Sequence, residues 1–587
     1  MFKPGLNELS RTQEIISSFG GYNHNPVINE NEFYHTENMS SCEYPMLTPR
    51  NKRAYFNVSG DRLHGIFSKS KIAYINNGQL YYGGEPVTGL LFEDIEEQRQ
   101  FVSMGAYLLV FPDKMYLNTA DLSDYGNLEN FYRCPAEANV TVSLCKGDNS
   151  LYEGYAISSA EPENPENGTL WLDTSLSPNV LKQYSKSIGM WVEIAVTYVR
   201  IASSGIGKGF SAGDGVEIEG FTDESLNGSH IIRSCGDDYI TVTGIIKNTI
   251  TGKFPVRVSR VLPEMDFVCE NGNRIWGCNS ENNEIYASKL GDPKNFRCYT
   301  GVSTDSYAVS VGTDGAFTGC ISYRGYVLFF KENCVHKIYG QNPPYTVTTS
   351  YIRGVQKGSE KSLVCLNETL YYKSPNGICS YEGGVPVDIF TPVCKDYYTN
   401  AVAGALGDRY YICMSDKQGE RVLFCYDESG NIWHRQDNID ITDFATHNSN
   451  LYFIGVIDGI KRLCLMDGVN KYGDFSGELD GFYTEDDFPW CAETGLWGLG
   501  LPENKYYSGI TVRFEGDKSA EFSVDFQVNC SGVWENQLSI TLDKTGSVTL
   551  PFITPRCDTL SIRIRGKGRI RIFSISRKIE RGSELNV

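Results

Sequence analysis

The chain has 587 residues, too many for one ordinary hydrophobic core, and its length predicts two to four domains. With 41% hydrophobic and 21% charged residues it has the composition of a globular protein, which excludes an intrinsically disordered chain. The formal net charge is −19 and no basic run occurs before the C-terminal region, which argues against tight general binding to nucleic-acid phosphates.

Residue usage indicates the fold class. The sequence has 37 Tyr and 59 Gly, which suit pleated half-buried strands and the tight turns between them. Its 18 cysteines are scattered singly, several within apolar strand-like runs (Cys269, Cys320, Cys413, Cys425 and Cys464). We therefore expect an all-β protein that folds in a reducing cytosol and whose cysteines are small core residues.

Residues 1–50 lack periodicity and contain Pro4, Pro26, Pro45 and Pro49. Because proline favours extended geometry in the residue before it, we expect an extended arm that lies on the next domain or on a neighbouring subunit. The start of the sequence has no apolar core of signal-peptide length. No run of 18 apolar residues predicts a membrane span.

Two segments, 51–190 and 263–480, consist of short apolar runs separated by turns. "KIAYINNGQLYYGG" is one example: two strand-like runs flank an Asn-Gly turn, which is the strongest short hairpin signal. Units of three or four such runs recur about every 40–50 residues, as in the blades of a β-propeller. One phrase occurs twice, at Asn76–Val87 and at Asn376–Val387, and we expect it to mark the same place in two blades. The predicted number of blades is five to seven.

The remaining segments differ in pattern. Residues 191–262 predict a small β-barrel-like domain inserted into the propeller. Within it the phrases "GDGVEIEGFTD", "LNGSHIIRSC" and "YITVTG" resemble a small module often found inserted in phage tail components. Residues 481–587 alternate strictly between apolar and polar positions and predict a C-terminal β-sandwich. Arg563, Arg565, Arg569 and Arg571 fall on its polar face. We interpret them as edge protection or a subunit contact, with DNA contact as the weaker alternative.

Sequence motifs of catalysis are absent. The chain has no Cys-x-x-Cys pair, no His-Glu-x-x-His motif, no Gly-x-Ser-x-Gly elbow and no phosphate-binding loop. Its seven histidines are dispersed, with none at metal-ligand spacing (His24, His35, His64, His230, His336, His434 and His447). The sequence therefore predicts a protein that is not an enzyme, with no catalytic residue, cofactor or metal.

Two stretches are candidates for a site. "YDESGNIWH", Tyr426–His434, resembles the aspartate box of sialidase-like propellers, but it occurs once and has an extra residue between Asp427 and Gly430. We interpret it as a turn with Trp433 in the core. The acidic cluster Glu485, Asp486 and Asp487 could bind Ca²⁺ or act as a carboxylate pair, but a solvated linker explains it more simply.

Four phrases in order give a family resemblance: "YPMLTPRNKR", "NRIWGCNSENNEIYASKLGDPKNF", "ETGLWGLGLPENKYYSGITVRF" and "PRCDTLSIRIRGKGRIRIFSIS". Together they resemble the propeller-type tail hub or nozzle of short-tailed double-stranded DNA phages. The resemblance implies a structural protein of the virion tail. Its partners would be further copies in a hexameric ring, the portal-adaptor, other tail proteins and tail fibres. DNA would pass through the ring during ejection without specific binding.

Two alternatives stay open beside this hypothesis. The chain could be a tail module that binds a host-surface glycan or receptor, with Trp276 or Trp433 stacking on sugars. It could also be a glycan-cleaving propeller enzyme, which would need several converging carboxylates and an arginine cluster.

Overall fold

The structure of this chain is a computed structural model. It describes residues 11–93, 99–393, 397–468, 482–502, 504–542, 546–550 and 556–581. Its regular structure is almost entirely β-strand; the helical segments of the described residues are single 3₁₀ turns at Glu224–Leu226, Glu360–Ser362 and Thr391–Val393. The all-β prediction is confirmed. None of the helices in these ranges has the length and apolar character needed to cross a membrane.

The chain divides into two compact units. The first unit comprises Met1–Gln98, Phe329–His336 and Thr349–Val587, and the second unit comprises Arg99–Leu328 and Lys337–Thr348.

The strands are numbered here in chain order. The N-terminal strands are β1 (Arg11–Ile16), β2 (Phe33–Glu37), β3 (Met39–Ser40), β4 (Thr48–Pro49) and β5 (Ala54–Ser59). They are followed by β6 (His64–Ser68), β7 (Ile72–Asn76), β8 (Gln79–Tyr82), β9 (Glu85–Leu91), β10 (Gln100–Met104), β11 (Tyr107–Phe111), β12 (Met115–Asn118) and β13 (Tyr125–Asn127).

The middle of the chain continues this series. The next strands are β14 (Asn130–Arg133), β15 (Val140–Cys145), β16 (Ala156–Ser158), β17 (Leu170–Asp173), β18 (Val180–Ser185), β19 (Met190–Glu193), β20 (Tyr198–Ala202), β21 (Gly215–Glu219), β22 (Gly228–Gly236), β23 (Tyr239–Thr243), β24 (Ile250–Gly252) and β25 (Arg257–Arg260). After them come β26 (Phe267–Glu270), β27 (Ile275–Asn279), β28 (Glu284–Ala287), β29 (Tyr307–Ser310), β30 (Gly319–Tyr323), β31 (Tyr326–Phe330), β32 (Val335–Tyr339) and β33 (Thr346–Ser350).

The C-terminal part has longer strands. They are β34 (Val364–Leu366), β35 (Thr369–Ser374), β36 (Gly377–Tyr381), β37 (Val387–Asp388), β38 (Thr399–Leu406), β39 (Arg409–Ser415), β40 (Arg421–Asp427), β41 (Ile432–Arg435), β42 (Asp440–His447), β43 (Asn450–Ile457), β44 (Ile460–Leu465) and β45 (Phe482–Thr484). The last strands are β46 (Pro489–Thr494), β47 (Lys505–Gly516), β48 (Glu521–Val528), β49 (Glu535–Thr541), β50 (Gly546–Leu550), β51 (Leu560–Lys567) and β52 (Ile570–Arg581).

Four-stranded sheets in which consecutive strands are neighbours recur along the chain on both sides of the barrel-like segment. These sheets are β6–β9, β10–β13, β26–β29, β30–β33, β34–β37 and β38–β41. In the first unit, β34–β37 shares an apolar core with β38–β41, which in turn shares one with β42–β44. The β42–β44 sheet packs in the same way on β6–β9. Small antiparallel sheets stacked face to face are propeller blades, so the predicted fold class is confirmed.

An N-terminal strand completes the last of these sheets. The sheet has the order β42-β43-β44-β5-β45, with β5 antiparallel to both of its neighbours. The inward residues of β5, such as Phe56, are fully buried. A strand from the start of the chain therefore protects the edge of this blade.

The repeated phrase occupies equivalent places in two blades. In the first copy Asn77 and Gly78 both have positive φ, 51° and 77°, and turn β7 into β8. In both copies the Gly-Gly pair follows the third strand and the final valine, Val87 or Val387, lies on the fourth strand. The phrase thus marks the last hairpin of a blade in both copies, and the prediction that it marks the same place in two blades is confirmed.

The second unit contains a barrel-like module. Its eight-stranded sheet has the order β14-β25-β21-β22-β23-β20-β15-β24 and encloses its own apolar core. Strands β14 and β15 come from before residue 191, the predicted start of this segment. The small sheet β16–β19 is inserted between β15 and β20.

The C-terminal domain is a β-sandwich built from both ends of the chain. One sheet has the order β1-β52-β47-β50 and the other β2-β46-β51-β48-β49. Their inward residues form one core that includes Trp490, Val512, Phe522, Ile564 and Ile572. The N-terminal arm was expected to lie on the next domain or on a neighbouring subunit. Strands β1 and β2 instead pair with this C-terminal sandwich, whereas Tyr22, between them, packs in the core of the blades β34–β37 and β38–β41. Residues 1–10 are outside the described ranges.

Candidate functional site

The outer face of the sheet β2-β46-β51-β48-β49 carries a grid of polar side chains. Alternate residues of β51 and β48, such as Ile564 and Val524, point into the sandwich core and are almost fully buried. The residues between them must therefore point outward. Pairing across the sheet places Glu493 opposite Arg563, which is itself opposite Asp525.

Asp525 holds two arginines in place on this face. Its carboxylate accepts hydrogen bonds from Nε of Arg563 and Nε of Arg565, each at 2.8 Å, and from Nδ2 of Asn536 at 2.8 Å. The Asp525 side chain is only 2% exposed, whereas that of Arg565 is 50% exposed. Burial opposes ionisation of Asp525, but the bonds from Arg565, Asn536 and Arg563 outweigh it and lower its pKa. An ionised, buried carboxylate thus fixes guanidinium groups that face solvent.

Strands β2 and β46 lie on the other side of Arg563 and contribute two neutral side chains and two glutamates to the site. His35 lies across from Glu493, and Glu37 lies across from Cys491. Burial, helped by Arg435, lowers the pKa of His35 to about 4, and burial raises the pKa of the Cys491 thiol to about 12. Both groups are therefore neutral at neutral pH. Burial also raises the pKa of Glu493, although Nη1 of Arg563 lies 3.6 Å from its carboxylate.

These residues surround an open cleft of about 500 Å³, with Glu521, Ser523 and Lys567 on its other side. The indole of Trp534, 4.5 Å from the guanidinium of Arg563, supports that arginine from the side. Charges of both signs and neutral donors and acceptors alternate over a few ångströms. Such a surface can bind a ligand with many hydroxyl groups, because every hydroxyl both donates and accepts.

The sequence singled out the arginines of this face but not their partners. Strands β51 and β52 lie in the interior of their sheets, so the interpretation of Arg563, Arg565, Arg569 and Arg571 as edge protection is wrong. Arg569 and Arg571 instead bind Glu43 of the N-terminal segment. Asp525, Glu493 and His35 were missed; strict alternation in "EFSVDFQV" predicts that Asp525 faces outward, but no local signal links it to the arginines.

The aspartate-box stretch forms a turn, as predicted. Oδ1 of Asp427 accepts hydrogen bonds from Ser429 Oγ at 2.7 Å and from the Gly430 amide at 3.3 Å. Trp433 is 1% exposed and Trp276 is 2% exposed, so neither offers a ring face to a sugar. The predicted burial of Trp433 in the core is confirmed, and the alternative in which these tryptophans stack on sugars is wrong.

The acidic cluster and the cysteines have structural roles. Glu485 forms an ion pair with Arg50 at 2.7 Å, and Asp487 forms one with Lys52 at 2.6 Å. The structure describes no group of three or more His, Cys, Asp and Glu that could hold a metal ion in the ranges given above. Of the cysteines singled out, Cys413, Cys425 and Cys464 are core residues, and Cys269 and Cys320 are half-buried.

No protein-family model and no curated protein sequence matches the chain. Among solved structures, it is similar to the phage phi92 endosialidase with 11% identity and a TM-score of 0.24, covering 93% of this chain and 77% of that one. It is similar to the PorZ component of the type-IX secretion system of Porphyromonas gingivalis with 12% identity and a TM-score of 0.26, covering 83% and 71%. An exo-β-1,3-galactanase from Phanerochaete chrysosporium gives 11% identity and a TM-score of 0.21, covering 52% and 92%.

Two of these structures are named as enzymes, an endosialidase and a galactanase. They stand against the prediction that this chain is not an enzyme, and that prediction is withdrawn. At these identities the similarity concerns the fold and assigns no substrate to this chain.

Proposed function

We propose that this chain is a glycan-binding module of a phage tail and that the cleft beside Arg563 and Arg565 receives a host-surface carbohydrate. The tail context rests on the ordered phrases of the sequence. The binding role rests on one observation: Asp525 is buried and ionised, and it fixes two arginines whose outer edges face an open cleft. Guanidinium groups held in this way lose little side-chain entropy when a ligand binds.

The charges of the cleft favour a hydroxyl-rich ligand over a nucleic acid. Arg563, Arg565 and Lys567 are offset by the buried carboxylate of Asp525, which holds both arginines, and by Glu37 and Glu521, which line the cleft. A phosphate backbone would meet these carboxylates without a surplus of cations, and the net charge of the chain is −19. A sugar, with several hydroxyl groups around its ring, can instead pair with both the arginines and the carboxylates.

Replacing Arg565 by alanine should weaken glycan binding about 10- to 100-fold, because a hydrogen bond to a charged group contributes roughly 1.5–3 kcal/mol. The full chain would first be screened on an array of bacterial surface oligosaccharides. Dissociation constants of the strongest binder would then be measured by calorimetry for the native chain and for Arg565→Ala.

Arg571→Ala is the matched control, since Arg571 lies on the other sheet and binds Glu43. It removes the same charge and should leave the affinity unchanged. A complete absence of signal on the array would overturn the proposal, as would equal losses in the two variants.

The finer tail role inferred from the family resemblance is a separate proposal. In it, identical copies form a hexameric hub or nozzle below the portal-adaptor, and the net charge of −19 keeps passing DNA from adhering. Native mass spectrometry is expected to show hexamers. A strictly monomeric chain that is absent from purified virions would contradict it.

A further inference from the structure

We propose that the same cleft hydrolyses the glycan that it binds, with Glu493 as general acid and Glu37 as general base. This inference rests on the proposed function and adds a reaction to it. Both carboxylates line the cleft, and both project from the outer face of one sheet.

The strand register places the two glutamates close together on the sheet. Glu493 on β46 is opposite His35 on β2, and Glu37 is opposite Cys491, so Glu37 and Glu493 are diagonal neighbours on the same face. The Cα atoms of diagonal neighbours on an antiparallel pair are about 7–8 Å apart, so two glutamate side chains that start there can hold their carboxyl groups at a similar separation. Two carboxyl groups at about 6.5–9.5 Å leave room for a water molecule between one of them and the sugar, which is the geometry of inverting glycosidases.

The surroundings of Glu493 suit a proton donor. It is half-buried beside the neutral imidazole of His35 and the neutral thiol of Cys491, and burial raises its pKa, so it keeps its proton closer to neutral pH than an exposed glutamate. Asp525 cannot take this role, because it is ionised and its oxygens are occupied by Arg563, Arg565 and Asn536.

The reaction needs no reagent other than water. Glu493 gives its proton to the glycosidic oxygen as the bond from that oxygen to the anomeric carbon breaks. A water molecule attacks the anomeric carbon from the opposite side and loses a proton to Glu37. Solvent then returns a proton to Glu493 and removes one from Glu37, and two shorter sugars are released. Arg563 and Arg565 position the glycan during these steps.

The test uses the oligosaccharide with the strongest array signal as substrate for the full chain. New reducing ends should appear, and Glu493→Gln and Glu37→Gln should each slow their release at least 100-fold, as expected for loss of a general acid or base. Both variants should keep the affinity for the oligosaccharide within about threefold, since glutamine preserves shape and hydrogen-bonding capacity. Glu515→Gln, which changes a carboxylate beside Arg571, is the matched control and should leave the rate unchanged.

Two further measurements test the assigned roles. The rate should fall as the pH rises through the pKa of Glu493, and Glu493→Gln should abolish that dependence. Proton NMR of the first product should show inversion at the anomeric carbon.

Binding without hydrolysis would overturn this inference and leave the glycan-binding proposal intact, whereas failure to bind any arrayed glycan would overturn both. Hydrolysis that survives in Glu493→Gln, or that proceeds with retention, would overturn the roles given to the two glutamates.

Discussion

Replacing Asp437 by alanine is expected to destabilise the first unit by about 3–5 kcal/mol, because it leaves a buried guanidinium without its partner. Arg53 is 1% exposed, and its Nη1 and Nη2 donate to the Asp437 carboxylate at 2.7 and 3.0 Å. Arg50 approaches the same carboxylate at 3.4 Å and forms two bonds to Glu485 at 2.7 and 2.9 Å. The carboxylate therefore neutralises a charge that water cannot reach.

Urea unfolding of the native and Asp437→Ala chains, followed by hydrogen exchange of β5 and β44 amides, would measure the loss. Asp487→Ala is the control, because the Asp487 side chain is 52% exposed and its ion pair with Lys52 is worth about 0–1 kcal/mol. A loss of less than about 1 kcal/mol in Asp437→Ala would show that the buried ion pairs do not stabilise the sheet that contains β5 and β44.

The ion pairs of Asp437 should also make the stability of the chain fall as the pH is lowered. Burial opposes ionisation of Asp437, but Arg53 and Arg50 outweigh it and lower its pKa to about 2 from an ordinary value of 3.8. A carboxylate whose pKa is lower in the folded than in the unfolded chain stabilises the fold at pH values above the unfolded pKa. This stabilisation is lost as the pH falls towards the folded pKa. Between pH 4 and 2 the native chain should therefore lose more stability than Asp437→Ala.

Trp433→Ala is expected to cost about 3–5 kcal/mol, the range for truncating a buried aromatic residue. The indole is 1% exposed, lies 4.9 Å from the rings of both Phe390 and Tyr426, and donates Nε1–H to the carbonyl of Ile389 at 2.8 Å. Its removal leaves a cavity between two blades and an unpaired carbonyl.

Thermal unfolding would measure the cost of Trp433→Ala, with Tyr351→Ala as control because Tyr351 is 79% exposed. Glycan affinity should stay unchanged below the unfolding temperature. Because Trp433 is buried, we expect no direct contact with a sugar. A loss of glycan affinity without a loss of stability would contradict this expectation.

Local patterns in the sequence were enough to predict the blades. An Asn-Gly turn between two apolar runs defines a hairpin through backbone geometry alone, as Asn77 and Gly78 show with their positive φ angles. Burial of Trp433 also followed from its place after a turn. The alternation of the C-terminal region likewise identified a sandwich and which residues of β51 face outward.

Long-range pairing could not be predicted in the same way. Nothing in "EFYHTE" indicates that β2 pairs with β46, because a strand's partner depends on the whole packed core and not on its own residues. The cleft depends on this pairing, since His35 and Glu37 come from β2 while Glu493, Arg563 and Arg565 come from the C-terminal strands. Only the arginines had a visible signal, and their partner Asp525 is 38 residues from Arg563.

The pairing of β2 with β46 has a consequence for biosynthesis. Asn38 donates a hydrogen bond to the carbonyl of Pro489, a contact that spans 451 residues. At a translation rate of about 5–20 residues per second, the N-terminal segment leaves the ribosome roughly 20–90 s before its partner. During that interval its apolar residues, such as Phe19 and Phe33, have no sandwich core to enter. We expect nascent chains arrested before residue 489 to bind host chaperones through this segment, and complete chains to release them.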